Sequence, residues 1–192
     1  MATRATFGTQ RRAELFDSLL ALFLADGFAR LTLDDIAARL RCSKGTLYTL
    51  AGSKEQLVRA VTVHFFRGAA DDVENRIAGV EGARNRITAY LTAVGGALGS
   101  ASAAFMADLE AFQPAREVYE QNTAIAARRV GQLIAEGVAA GEFRDVHAAF
   151  AADLAAAMMV RIQQGAVRSA TGLDDAAAYR ELAAILTAGI NA

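Results

Sequence analysis

Three helix-start signals crowd between Thr32 and Gln56, and they fix the local architecture before anything else is known. Thr32 is followed three residues later by Asp35, and Ser53 by Gln56. Ser43 stands between them. An N-cap Ser or Thr accepts a bond from an orphan backbone N–H, and an acid or amide three positions on can return one. The helices begun at Thr32 and Ser43 must therefore be short. Ahead of them, Leu15, Leu19, Leu22 and Phe23 recur at helical spacing, which predicts a helix over 10–25 stopped by Gly27. The second helix should turn Ile36, Ala37 and Leu40 inward. Arg41-Cys42-Ser43 forms a turn, a third helix runs from Lys44 to about Leu50, and a fourth runs to about Ile77.

The remainder reads as helix as well, so the expected fold class is all-α. The chain has 192 residues with 54% apolar residues and a single proline. It shows no sustained strand-like alternation. Further helices are expected over 83–98, 102–112, 114–139, 146–170 and 174–190, with Pro114 at a first helical position and Gly141 as a stop. The expected domains are a head over 1–55 and a body over 56–192. The stretch from Ile87 to Ala107 is uncharged and long enough to span a bilayer, but Gly95, Gly96, Gly99, Ser100 and Ser102 divide it. It is read as two helices, with no membrane partner. A lone cysteine and an N-terminus without an apolar leader suggest the cytoplasm.

The net charge of −1 predicts no nucleic-acid partner, but its distribution does. Residues 1–54 hold eight Lys/Arg against five acids, and the rest hold twelve against sixteen. A basic head on an acidic body suits a DNA-binding module. A capped helix, a tight turn and a short second helix make a helix-turn-helix whose second helix fits a major groove. Leu47 and Leu50 should pack inward, leaving Lys44, Gly45, Thr46, Tyr48 and Thr49 outward or sideways. Gly45 would let DNA approach the backbone, and Tyr48 offers a ring for thymine methyls. Thr32, Ser43 and Thr46 can bond phosphates. Arg41 is a further candidate contact. Lys54 adds charge at a helix N-terminus. Cys42 is read as a small core residue.

These segments resemble the TetR family. Thr32-Leu33-Asp34-Asp35-Ile36-Ala37 is similar to its second helix, Ser43-Lys44-Gly45-Thr46-Leu47-Tyr48 to its recognition helix, and Ser53-Lys54-Glu55-Gln56-Leu57 to the start of its fourth. The close resemblance covers about the first 60 residues. It implies a repressor that binds a near-palindromic operator as a homodimer and is released by a small-molecule effector. Three positions depart from the family pattern. Arg41 stands where glycine is frequent in the turn, and is strained if its φ is positive. Leu50 and Ala51 replace a bulkier ending that often includes phenylalanine. The vacated space would be filled by Phe65 or Phe28, or the head would be looser.

In the body, an alanine-rich face carrying Leu154, Met158, Ile162, Leu182, Ile185 and Leu186 could pair with its copy, as the resemblance implies. An effector pocket would lie among the fourth to eighth helices. Phe65, Phe66, Tyr90, Phe105, Met106 and Phe112 are candidates for an apolar lining, with Tyr119, Met158 and Met159. Asn122, Arg161 and Gln163 are polar candidates, and His64 and His147 possible anchors. The effector expected is apolar or aromatic. Two histidines and one cysteine offer little for a metal, and no nucleotide, zinc-protease or nucleophile-elbow motif is present. No cofactor and no enzymatic activity are expected. The alternative is a helical protein-interaction module whose head has lost or weakened operator binding.

Overall fold

The computed structural model describes residues 3–190, and among them ten helices and no strand. The helices are α1 (Thr3–Asp26), α2 (Leu33–Arg39), α3 (Lys44–Tyr48), α4 (Lys54–Ile77), α5 (Ala83–Gly99), α6 (Ala103–Ala111), α7 (Gln113–Ala139), α8 (Ala148–Gln163), α9 (Ala166–Thr171) and α10 (Asp175–Gly189). Pro114 lies in the first turn of α7, where its missing N–H would have had no intrahelical acceptor. The predicted helix over 146–170 is two helices. Gly165 takes a left-handed conformation at φ +68° and starts α9 in a new direction. No single helix among the described residues is long and apolar enough to cross a membrane.

The chain forms two compact units, and their division does not fall at residue 55. The first runs through the head to Arg67 and takes in Ala101–Tyr119. Its core is a chain of rings. Phe28 meets Phe23, Phe105 and Phe112, Phe105 meets Phe65, and Phe65 meets Phe66, which stacks on Tyr119. Most of these contacts are tilted or edge-to-face, the arrangement ring quadrupoles prefer.

The second unit comprises Gly68–Ser100 and Glu120–Ala192. Its principal pairing is α5 against α10, and glycine makes the close approach possible. A Cβ on Gly95 would stand 2.9 Å from Tyr179 Cβ and 3.2 Å from the Ala176 backbone. Ala would gain about 1 kcal/mol of helix propensity over Gly, but overpacking costs about 1–3 kcal/mol. Gly95→Ala should therefore destabilise the chain, read as a lower chemical-denaturation midpoint. Glu142, beyond the end of α7, caps α5 by accepting the Ala83 N–H at 2.6 Å. An ion-pair chain joins Glu74, Arg129, Glu136 and Arg86.

Candidate nucleic-acid interface

The head is held by local caps and by one remote carboxylate. At α2, Thr32 Oγ1 accepts the Asp35 N–H at 3.1 Å, and Asp35 accepts the Thr32 N–H at 2.8 Å and its hydroxyl at 2.6 Å. These bonds, the Thr32 hydroxyl first, hold the Asp35 carboxyl below its ordinary value of 3.8. A lowered native pKa contributes stability that is present above the unfolded value and lost as pH falls through the native one. The head should therefore loosen on acidification below about pH 4, and Asp35→Asn should flatten that dependence in an acid-unfolding titration.

Ser43 caps α3, its Oγ accepting the Thr46 N–H at 3.0 Å. At α4, Ser53 Oγ accepts the Gln56 N–H, but Gln56 reaches back to the Gly52 N–H at 2.9 Å. The reciprocal bond thus falls one residue earlier than a capping box places it. The remote contact comes from α6, where Asp108 accepts the Phe28 and Ala29 N–H groups at 2.6 and 2.7 Å. The Ser102 N–H, just before α6, donates to the Leu24 carbonyl at 2.8 Å. Together these bonds fasten α6 to the end of α1 and the turn into α2.

With the frame held in this way, the predicted DNA contacts gather on the short helices and their turns. Leu47 is buried, whereas Tyr48 is 49% exposed and Lys44, Gly45 and Thr49 face solvent. Lys44 pairs with Asp34 at 2.9 Å, and this bond holds its ammonium above the ordinary value. Lys54 Nζ donates to the Ala29 carbonyl at 2.9 Å, which brings the base of α4 beside the turn before α2 and near Thr32. Ser43 and Thr46 hydroxyls share a 2.8 Å bond. Arg41 has φ +50°, the left-handed region that glycine occupies freely.

Three details differ from expectation. Leu50 and Cys42 are half-buried, not core. They line an open groove of about 400 Å³ with Leu15, Leu40 and Arg41. Neither Phe28 nor Phe65 fills it, because those rings pack on their aromatic neighbours. Arg12 instead steadies the end of α3, donating to the Thr49 carbonyl at 3.0 Å.

The candidate pocket residues are shared between the two units. Phe65, Phe66, Phe105, Met106, Phe112 and Tyr119 belong to the first unit, and four of them are fully packed against other rings or aliphatic groups. Tyr90, Asn122, Met158, Met159, Arg161 and Gln163 belong to the second. Arg161 points to solvent, Met159 is buried, and Gln163 accepts the Thr123 hydroxyl. Burial raises the Tyr90 hydroxyl to about 12, so it stays a neutral phenol at physiological pH. The histidines have other partners: His64 meets Asp17 at 2.8 Å, and His147 Nδ1 caps α8 by accepting the Phe150 N–H.

The candidate pairing face divides likewise. Leu154 and Ile185 are 54% and 66% exposed, with Phe150 beside them at 69%. Met158 and Leu182 are half-buried. Ile162 and Leu186 are buried within the protomer, although Leu186 lies in the floor of the groove that Phe150, Leu154 and Ile185 line. The exposed Phe150 was not singled out in the sequence, where it stood as one more apolar residue in an alanine-rich run.

A capped two-helix motif with an exposed polar second helix, on an otherwise helical frame, defines the helix-turn-helix class. Residues 15–61 match the model of the bacterial regulatory proteins of the tetR family. The chain thus carries a tetR-family N-terminal domain and has the fold of TetR-family transcriptional regulators. No curated protein sequence matches it significantly. A transcriptional regulator from Saccharomonospora viridis, solved in complex with choline, is 17% identical with a TM-score of 0.75, covering 96% of this chain and 99% of that one. A TetR-family regulator from Agrobacterium tumefaciens is 14% identical at 0.70, with 96% and 99% covered. A TetR/AcrR-family regulator from Thermobifida fusca is 22% identical at 0.69, with 94% and 98% covered.

Proposed function

We propose that this chain is a transcriptional repressor that reads a near-palindromic operator as a homodimer and releases it when a small apolar or aromatic effector binds. The observation that carries the reading is the outward face of α3, where Lys44, Gly45, Tyr48 and Thr49 are exposed over a buried Leu47. Thr32 and Lys54 flank that face, as phosphate contacts on one side of a groove would require. A dimeric reader needs two such helices at the spacing of successive major grooves, about 34–36 Å, and the exposed Phe150, Leu154 and Ile185 offer a face for pairing. The S. viridis regulator of similar fold was solved in complex with choline, which supports a small-molecule role for the fold without naming the effector here.

Release follows from linkage. An effector shifts the protein only through its differential affinity for the two states. Phe105 of α6 and Phe112 at its end pack on Phe28, and Phe65 of α4 packs on Phe105, while Asp108 of α6 holds the turn into α2. A ligand that parted these rings would displace α6 and, through Asp108, the base of the reading head. The test is selection of bound sequences from random duplex DNA. Enrichment of a near-palindrome is expected. No enrichment at low salt from folded dimeric protein would overturn the reading in favour of a protein-interaction module.

A further inference from the structure

A helix seated in a major groove lies between two sugar-phosphate backbones. Lys44 bonds Asp34 and Lys54 bonds the Ala29 carbonyl, so with Thr32 they gather at the start of α2. The groove beside α3 shares none of those three residues. Its polar border is Arg11, Arg12, Glu14 and Ser18 of α1, Arg41 of the turn, and Thr46 and Thr49 of α3; the Glu14 carboxylate accepts from the Gln10 amide. We infer that Arg11 and Arg41 form a second clamp, which takes a phosphodiester of the opposite DNA strand. This inference rests on the DNA-reading function proposed above.

Three observations converge on it. Four other cations of the head are engaged: Arg39 with Asp26, Lys44 with Asp34, Arg12 with the Thr49 carbonyl, and Lys54 with the Ala29 carbonyl; Arg30 is exposed but does not line the groove. Arg11 and Arg41 are exposed and have no ion-pair partner among the described residues, yet they line one groove. The groove's α3 wall is Thr46 and Thr49, whose hydroxyls are held by Ser43 and by the Thr46 carbonyl, so a phosphate there would meet guanidinium charge beside short polar side chains. Finally, Arg41 holds φ +50°, which a glycine would adopt without strain. Non-glycine residues held in this region cluster at functional sites. Arg12, anchored on Thr49 and lying over the Phe16 ring, is the fixed wall of the site and not the clamp itself.

The test is the salt dependence of affinity for the enriched duplex, measured with the full-length protein. Each phosphate neutralised contributes about 0.9 to the slope of log affinity against log salt. Arg11→Gln and Arg41→Asn should each reduce that slope by about one, with equal loss on matched and mismatched duplexes. Arg41→Lys should keep it. Arg41→Gly separates charge from backbone: it should melt higher than wild type while losing the same unit of slope. Unchanged slopes in Arg11→Gln and Arg41→Asn, with salt-dependent wild-type binding, would overturn the clamp and leave the DNA-reading function standing. Wild-type protein that binds no duplex at low salt would overturn both.

Discussion

Phe105→Ala should lower the unfolding free energy by about 3–5 kcal/mol. Phe105 is fully buried, and its ring meets Phe28 and Phe65 edge-on at centroid distances of 6.0 and 5.8 Å. Truncation removes the ring's burial and leaves a cavity between helices whose other contacts prevent collapse, because Asp108 and Ser102 keep α6 fastened to the head. Native stability is typically about 5–15 kcal/mol, so one substitution would consume a large share. For a chain of this length each kcal/mol lowers Tm by about 2–4 °C, which predicts a fall of about 10 °C in a thermal melt. A fall of only a degree or two would mean that the rings are loosely packed. The same site would then be a better candidate for an effector cavity than for a rigid core.

The second large effect is expected at the exposed apolar face of the second unit. Leu154→Glu and Ile185→Glu replace side chains that stand mostly in solvent in the protomer. Surface changes of this kind ordinarily shift stability by about 0.5 kcal/mol or less, so each variant should fold and melt much like wild type. Placed in a pairing interface, however, the same residues are central anchors. Loss of such an anchor costs about 2 kcal/mol or more, about 30-fold in dimer affinity. The double variant should sediment as a folded monomer and lose affinity for a two-half-site duplex while keeping weak binding to a single half-site. A double variant that still sediments as a dimer would place the interface elsewhere. Ile162 and Leu186 give a control of opposite character, since both are buried within the protomer and their truncation should cost stability first.

Local chemistry explains what was legible in the sequence. The caps at Thr32, Ser43 and Ser53 act within three residues, so each pair could be read directly, and Gly27 marks its stop by the same local logic. The polar face of α3 followed from the burial of Leu47. Contacts made at long range had no such signal. Asp108 reaches back eighty residues to cap the turn after α1, and Glu142 reaches fifty-nine to cap α5. Nothing adjacent in sequence marks either carboxylate. The break at Gly165 was missed because glycine inside an alanine-rich run is tolerated by helix periodicity, and only its positive φ shows that the chain turns there. The faces of α8 and α10 were ambiguous for a related reason. Where alanine surrounds the helix, the large apolar residues alone cannot say which side meets α5 and which stays open. Packing put Ile162 and Leu186 inside and left Phe150, Leu154 and Ile185 outside.

Asp34 also marks a limit of charge counting. Its bond to Lys44 offsets one cation on the reading face, so the basic surplus of the head overstates the charge available to DNA there. Arg11 and Arg41, which have no ion-pair partner among the described residues, line the groove beside α3.

The most direct measurement is the ratio of affinities for the enriched near-palindrome and for a scrambled duplex of equal length and composition, at one stated salt concentration. A specific reader is expected to prefer the near-palindrome by about 10³-fold or more, with Tyr48→Ala and Thr49→Ala shrinking the ratio. Equal binding to both duplexes by folded dimeric protein, unchanged in those variants, would contradict the assignment of α3 as a base-reading helix.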